Sequence, residues 1–147
     1  MKFLLITVLT VVVAVGCASF SRNGHRDARL FGEWTGVSAI IDGKSLSDET
    51  VKALRLTITE TRYITEKGAE TLFDSAYRVD LTKRPSQIFM VGNEGALVGK
   101  EAQGIYEVSD NLLRICYAMP GDPVPTRFES AAGSKAHFVV WRRSSEK

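Results

Sequence analysis

The sequence predicts an all-β fold, an antiparallel up-and-down barrel of about eight strands with one short helix. Three observations lead to this fold class. About eight short segments follow one another in which apolar and β-prone residues alternate with polar ones. Short turn signals link most of them. No segment has the length and periodicity of the helix that a βαβ crossover needs. An open sandwich of the same strands is the alternative.

The first strand and the one helix come early in the barrel. Trp34 to Ile41 is apolar and rich in β-prone residues, and it ends at Asp42-Gly43, a strong signal for a tight hairpin turn. Ser47 can cap a short helix that begins at Asp48, because its hydroxyl accepts a hydrogen bond from the first helical turn. We expect this helix to lie across one rim of the barrel.

Four strands are predicted in the middle of the chain. Leu54 to Ile58 alternates apolar residues with Arg and Thr, and Arg62 to Glu66 follows after a short turn. Leu72 to Leu81 is the clearest long strand, and Ser75 alone interrupts its apolar face. Gln87 to Val91 completes this group.

Three further strands are predicted near the C-terminus. Gly104 to Val108 and Leu112 to Met119 flank Ser109-Asp110-Asn111, which predicts a hairpin. Met119 to Thr126 contains three prolines, which lack the N–H that a sheet ladder needs, so we expect a loop at the barrel rim. Ala136 to Arg143 is the last strand.

The more apolar face of each strand is expected to point into the barrel. A register slip of one residue would instead bury charged residues such as Arg78 or Arg114, at a large desolvation cost. An eight-stranded barrel is just wide enough to be filled by side chains or to hold one small ligand. The candidate ligand-lining residues are Phe73, Tyr77, Ile88, Met90, Leu113, Ile115 and Tyr117.

A short leader precedes the barrel. Lys2 makes its start positive, and Phe3 to Val15 is a run of apolar residues and threonines, typical of a signal peptide and too short to span a bilayer. It ends in Ala14-Val15-Gly16-Cys17, which resembles the lipobox of bacterial lipoproteins. The resemblance implies that residues 1–16 are a lipoprotein signal peptide and that Cys17 carries membrane lipid. An ordinary signal peptide cut nearby is the alternative.

The residues after Cys17 indicate a location and a domain plan. Ala18 and Ser19 stand where lipoproteins retained in the inner membrane favour Asp. The resemblance therefore implies a lipid anchor in the cell envelope, on the outer membrane and facing the periplasm of a cell with two membranes. Residues 17–29 have little apolar content and predict a flexible tether. Residues 30–143 are the barrel domain, and 144–147 a disordered tail.

The charge balance gives no indication of a nucleic-acid partner. The chain has 19 Lys and Arg against 17 Asp and Glu, and loss of Lys2 with the leader leaves 18 against 17, a net charge of +1. The basic residues are spread among the acidic ones, without the aromatic-interleaved basic face that binds phosphates. We therefore expect no binding to nucleic acid.

Four short motifs resemble one protein family. They are Gly32-Glu33-Trp34, Asp42-Gly43-Lys44, Gly104-Ile105-Tyr106-Glu107 with the following Leu113 to Ala118, and Pro125-Thr126-Arg127-Phe128 before a closing Arg143. Together they are similar to small planctomycete-type lipocalin-like domains of unknown function, over about residues 28–143. The resemblance implies the fold and not an activity. It also implies that Arg143 packs across Trp34 and closes one barrel end by a cation–π contact.

Motifs for catalysis are absent from the sequence. There is no Gly-x-Ser-x-Gly, phosphate loop, His-Glu-x-x-His or Cys-x-x-Cys. The two histidines, His25 and His137, are too few for a His-based metal site. Cys116 has no partner if Cys17 is acylated, and we expect it to be buried and inert. We predict no catalytic residue, no metal, no cofactor and no enzymatic activity.

Two functions remain open at this point. The first is a binding module that holds a small apolar ligand in the barrel. The second is a protein-interaction module of the cell envelope, such as an inhibitor, an immunity protein or a scaffold, that acts through the rim loop Met119 to Thr126. A cavity inside the barrel favours the first function, and a filled core favours the second.

Overall fold

The computed structural model describes residues 26–145 and confirms the predicted fold class. Eight antiparallel strands close into a barrel, with one extra strand and, within the described residues, one short α-helix. No helix among these residues is long and apolar enough to cross a membrane. The predicted signal peptide, the lipid attachment site Cys17 and the tether as far as residue 25 lie outside the described residues, as do Glu146 and Lys147.

Each predicted strand is present, with bounds that differ by a few residues. The strands are β1 Gly32–Ile41, β2 Lys44–Ser45, β3 Leu54–Ile58, β4 Arg62–Lys67, β5 Glu70–Asp80, β6 Ser86–Gly92, β7 Glu101–Ser109, β8 Leu112–Ala118 and β9 His137–Arg143. Strands β3 to β9 pair in chain order, β1 pairs with β3, and β2 pairs only with the end of β1. The pairing of β1 with β9 closes the barrel and so removes its exposed edges.

The register defines two ends of the barrel. Trp34 lies opposite Arg143 at one end, and Ile41 lies opposite His137 at the other. We call the first the closed end, because residues 26–31 fold across it. The second is the open end, where the segments 46–53, 93–100 and 119–136 connect neighbouring strands.

The helix α1, Asp48–Ala53, begins where the sequence predicted. The backbone N–H of Thr50 donates to the Ser47 hydroxyl over 3.2 Å, which caps the first turn. Val51 is buried in the barrel core, so the short helix is held by packing against the open end more than by its own propensity.

Two apolar clusters hold the fold together. The larger one lies inside the barrel. Four of the seven candidate ligand-lining residues belong to it, and the other three are partly buried and pack against it. The smaller one lies outside the barrel wall, where Cys116, Ile105 and Ala136 are covered by Phe128 and Phe138. The outer face of β8 is therefore covered at Cys116, because the segment 119–136 folds back over it, while Leu112 on the same face stays exposed.

Residues 26–29, the last part of the predicted tether, contact the barrel in the structure. Asp27 is buried, a 3₁₀ turn spans Ala28–Leu30, and Arg26 forms an ion pair with Glu60. These residues join the folded unit because the barrel end needs an apolar cover and Leu30, fully buried, supplies it. At the other terminus the N–H of Ser144 donates to the Glu33 carbonyl, so the strand contacts extend one residue past the predicted end of the domain.

Candidate functional site

The closed end is sealed by the segment 26–31 and by Trp34. The indole Nε1–H of Trp34 donates to the carbonyl of Leu30 over 2.9 Å, and both side chains are fully buried. This bond ties the start of β1 to the turn that precedes it. The N-terminal segment therefore forms the base of the barrel.

Arg143 joins the two termini at this base. Its guanidinium carbon lies 4.1 Å from the centroid of the Trp34 ring. Its Nη1 donates to the Phe31 carbonyl over 2.8 Å and its Nη2 to the Arg29 carbonyl over 2.7 Å. The planar guanidinium thus stacks on the ring and also binds two backbone acceptors, which a lysine ammonium on this stem could not do in the same way.

A buried carboxylate adds a polar anchor to the base. Asp27 accepts hydrogen bonds from the Arg29 side chain, at 2.7 and 2.9 Å, and from the Tyr106 hydroxyl at 3.0 Å. Burial alone would raise the pKa of Asp27, but the hydrogen bonds from Arg29 and Tyr106 outweigh it and lower the pKa below the ordinary value. Burial and the nearby Asp27 raise the pKa of Tyr106, which keeps its proton for this bond.

The open end contains an apolar cavity of about 210 Å³. Most of its wall is aliphatic or aromatic, and the polar lining atoms come from few side chains. The lining residues are Ala39, Ile41, Leu46, Leu54, Thr65, Leu72, Phe73, Leu97, Tyr117, Met119, His137, Val139 and Trp141. Because the opposite end is sealed, this cavity is a blind pocket with its mouth at the open end.

The mouth is bordered by the loop between β6 and β7. A 3₁₀ turn at Gly95–Leu97 places Leu97 on the cavity wall. Gly92 permits this approach, since a Cβ at that position would clash with the Leu97 backbone. Leu72 and Val98 are about half exposed at 46% and 59%, so the rim of the mouth is itself apolar.

Two of the seven candidate ligand-lining residues reach this cavity. Phe73 and Tyr117 lie on its wall. Tyr77 belongs to the other end, where its hydroxyl donates to the Thr59 carbonyl over 2.8 Å. The remaining four are almost fully buried and pack within the core, which leaves no free surface on them: Ile88, Met90, Leu113 and Ile115.

Several cavity residues were missed at the level of sequence. The sequence named His137 only as one of two histidines too few for a metal site, yet it lines the mouth and its ring stacks on Tyr117 with 4.9 Å between the centroids. Burial lowers the pKa of His137, so its neutral form is favoured. Alternate residues of a strand share a face, so the alternation along β9 was the signal that could have placed His137 beside Val139 and Trp141.

Cys116 lies on the outer side of the barrel wall, away from the cavity. Its side chain is fully buried, and its Sγ–H donates to the Glu129 carbonyl over 3.3 Å. Burial raises the pKa of the thiol, which disfavours the reactive thiolate. The thiol therefore serves as a small apolar residue under the 119–136 segment.

The 119–136 segment is fastened to the turn between β1 and β2. The N–H of Gly43 donates to the Ser130 hydroxyl, and the N–H of Lys135 donates to the Asp42 carboxylate. A surface groove of about 390 Å³ runs along the segment between Pro123 and Ala136, and Val124 is exposed beside it. The predicted rim loop is therefore part of a longer cover whose C-terminal half is bonded to this turn.

Comparison of the chain with family models, curated proteins and solved structures finds no match. Within residues 26–145 no group of three or more His, Cys, Asp or Glu side chains is arranged to hold a metal ion.

Proposed function

We propose that this protein is a membrane-anchored extracytoplasmic lipoprotein whose barrel binds a small apolar ligand in the cavity at its open end. The observation that supports it is the blind apolar cavity of about 210 Å³. An apolar cavity of about 150 Å³ in another protein stays dry and accepts benzene. One aromatic ring with a short substituent is therefore the size of ligand that fits this cavity without repacking.

The energetic basis is burial of apolar surface. Each Å² of apolar ligand surface removed from water contributes about 25 cal/mol. The wall around Leu54, Phe73 and Val139 supplies the apolar contacts. The sealed base lets a ligand be buried on every side except the mouth, and the apolar rim at Leu72 lowers the cost of entering. Binding without chemistry is the activity that such a lining supports.

The attachment of the anchor and the position of the mouth are compatible with this function. Residue 26 reaches the barrel at the closed end, and Cys17 is nine residues earlier, a distance of at most about 30 Å. An anchor at Cys17 would hold the closed end near the membrane and leave the mouth open to the periplasm. Outer-membrane attachment and membership of the planctomycete lipocalin-like family are parts of the same proposal and rest on sequence motifs alone.

The experiment is a titration with fluorobenzene, a neutral apolar probe of suitable size, followed by ¹⁹F NMR. We expect saturable one-to-one binding by the wild-type protein. Val139→Phe should abolish it, because Val139 lines the cavity and the larger ring would occupy the space. The matched control is Val140→Phe on the adjacent, outward-facing position, which should bind like the wild type.

A folded wild-type protein that binds no fluorobenzene would contradict the ligand-binding function. Equal loss of binding in both valine variants would place the probe elsewhere. Circular dichroism of each variant establishes that the barrel is folded. If Val139→Phe overpacks a filled core, its stability should fall by about 1 to 3 kcal/mol, which a lower midpoint of unfolding would reveal.

The second candidate function is protein interaction through the 119–136 segment. Its support is the surface groove along that segment, with exposed Val124 and three prolines that lower the ordering cost of a binding surface. Val124→Asp should then abolish a stoichiometric complex purified with the protein from its own cell. If the complex persists in this variant, the groove is not the interface.

A further inference from the structure

The Trp141 indole differs from the Trp34 indole in its hydrogen bonding. Trp141 is only 2% exposed, and its Nε1–H is the one buried side-chain donor or acceptor of the described residues without a partner. The Nε1–H of Trp34 has the Leu30 carbonyl. A buried N–H without an acceptor costs roughly the desolvation of the group, so such groups are rare in folded proteins and call for an explanation.

The Trp141 side chain lines the cavity, so a molecule bound there could supply the acceptor. Trp141 lies on β9, two residues along the inward face from Val139 and four from His137. All three side chains line the cavity, and Trp141 is the one farthest from the open end. Its indole therefore borders the deepest part of the space that a ligand would occupy.

Resting on the ligand-binding function above, we propose that the ligand is an uncharged, mainly apolar molecule with a hydrogen-bond acceptor oxygen, and that this oxygen binds the Trp141 Nε1–H. A ketone, an ester or an ether has this chemistry. The apolar part of the molecule fills the space towards the mouth. The bond would satisfy the one unpaired donor and would orient the ligand with its oxygen inward.

The lack of charged side chains on the cavity wall favours a neutral acceptor over a carboxylate. Among the described residues that line the cavity there is no Lys, Arg, Asp or Glu. Thr65, Tyr117 and His137 supply its other polar side chains, and none of them carries a fixed positive charge. An anion buried there would lose its hydration without gaining a counter-ion, which is costly.

The experiment compares two probes of nearly the same shape. Acetophenone carries a carbonyl oxygen where α-methylstyrene carries a CH₂ group, so the pair differs in the acceptor alone. Their dissociation constants are measured by NMR titration for the wild type and for Trp141→Phe, which keeps an aromatic ring and removes the N–H. Benzoate at pH 7 is the charged analogue.

We expect the preference for acetophenone over α-methylstyrene to fall about fivefold in Trp141→Phe, the size of one net hydrogen bond. Taking the ratio of the two probes cancels their different hydration and the extra space that the variant leaves. In the wild type, acetophenone should move the Trp141 indole proton downfield, while α-methylstyrene should not and the Trp34 indole proton should stay in place. Benzoate should bind at least about tenfold more weakly than acetophenone.

The outcomes separate this inference from the function on which it rests. If both neutral probes bind but the preference is the same in Trp141→Phe, the indole does not select the ligand and the inference is wrong, while the binding function stands. If benzoate binds as well as acetophenone, the ligand class is wrong. If neither probe binds the wild type, both proposals fail. Should Trp141→Phe not fold, the indole proton shift in the wild type decides alone.

Discussion

Replacing Arg143 with alanine should weaken the closed end of the barrel more than replacing its neighbour Arg142 on β9. The change removes the cation–π contact with Trp34 and two hydrogen bonds to the carbonyls of Phe31 and Arg29. These contacts join the last strand to the N-terminal segment. Their loss should therefore loosen the base of the barrel and not only one side chain.

The magnitude follows from the three contacts. Hydrogen bonds from a charged donor contribute about 1.5 to 3 kcal/mol when buried, so the part-buried bond to the Phe31 carbonyl is assigned the lower end of about 1.5 kcal/mol. The bond to the Arg29 carbonyl is exposed, and we assign it about 0.5 kcal/mol, the lower end for an ordinary hydrogen bond. The cation–π contact adds about 0.5 to 2 kcal/mol. We expect Arg143→Ala to lower the free energy of unfolding by about 2.5 to 4 kcal/mol, a substantial part of the about 5 to 15 kcal/mol typical of a domain.

The assay is equilibrium unfolding in urea, with two comparison variants. Arg143→Lys keeps the charge but loses the planar two-acceptor geometry, so its stability should fall between wild type and Arg143→Ala. Arg142→Ala is the matched control, because Arg142 is the adjacent residue and its side chain is exposed on the outer face. It should change the free energy of unfolding by no more than about 0.5 kcal/mol.

A double-mutant cycle isolates the contact with the ring. Trp34→Leu keeps an apolar side chain and removes the aromatic face, and its combination with Arg143→Ala should be non-additive by about 0.5 to 2 kcal/mol. Additive losses would show that Arg143 and Trp34 do not stabilise one another. Equal effects of Arg143→Ala and Arg142→Ala would refute the closing role of Arg143 altogether.

Three further predictions concern single side chains. Cys17 should incorporate labelled palmitate in cells and Cys17→Ala should not; equal labelling of the two would exclude the lipoprotein assignment. Cys116 should react with a thiol reagent only after denaturant is added, and fast stoichiometric reaction of the native protein would contradict its burial. Asp27 has a pKa below the unfolded value of about 3.9, so its stabilisation is present above that pH and is lost as the pH falls through the lowered pKa. The stability difference between wild type and Asp27→Asn should therefore shrink below about pH 4, and a difference that does not vary with pH would mean that the carboxylate is not involved.

Local patterns were enough to predict the strands and the helix cap. Alternation located Leu54–Ile58 as β3, and the Ser47 cap located α1, because both depend on a few neighbouring residues. The Asp42-Gly43 turn was equally readable, since both residues adopt a positive φ there, a conformation that Asp tolerates and Gly favours. These features need no knowledge of the rest of the chain.

The extent of the domain could not be predicted in the same way. Asp27 and Arg29 look like solvated tether residues in a polar stretch, and only Tyr106, 79 positions away from Asp27, makes that carboxylate part of the core. The tether was predicted from the low number of apolar residues in this segment. That number does not show which polar group will meet a partner from a distant strand.

By itself the sequence predicted an all-β fold and which faces of its strands are buried, while the contact of Arg143 with Trp34 was implied only by the family resemblance. The fold class and the buried faces follow from period-2 alternation and from residue type, which are local. Only the tertiary structure decided that the interior is filled by Ile88, Met90, Leu113 and Ile115 yet hollow beside Phe73, Tyr117 and Trp141. The reason is physical: whether inward side chains interdigitate or leave a cavity depends on how their volumes and rotamers fit across the barrel, between residues far apart in the chain.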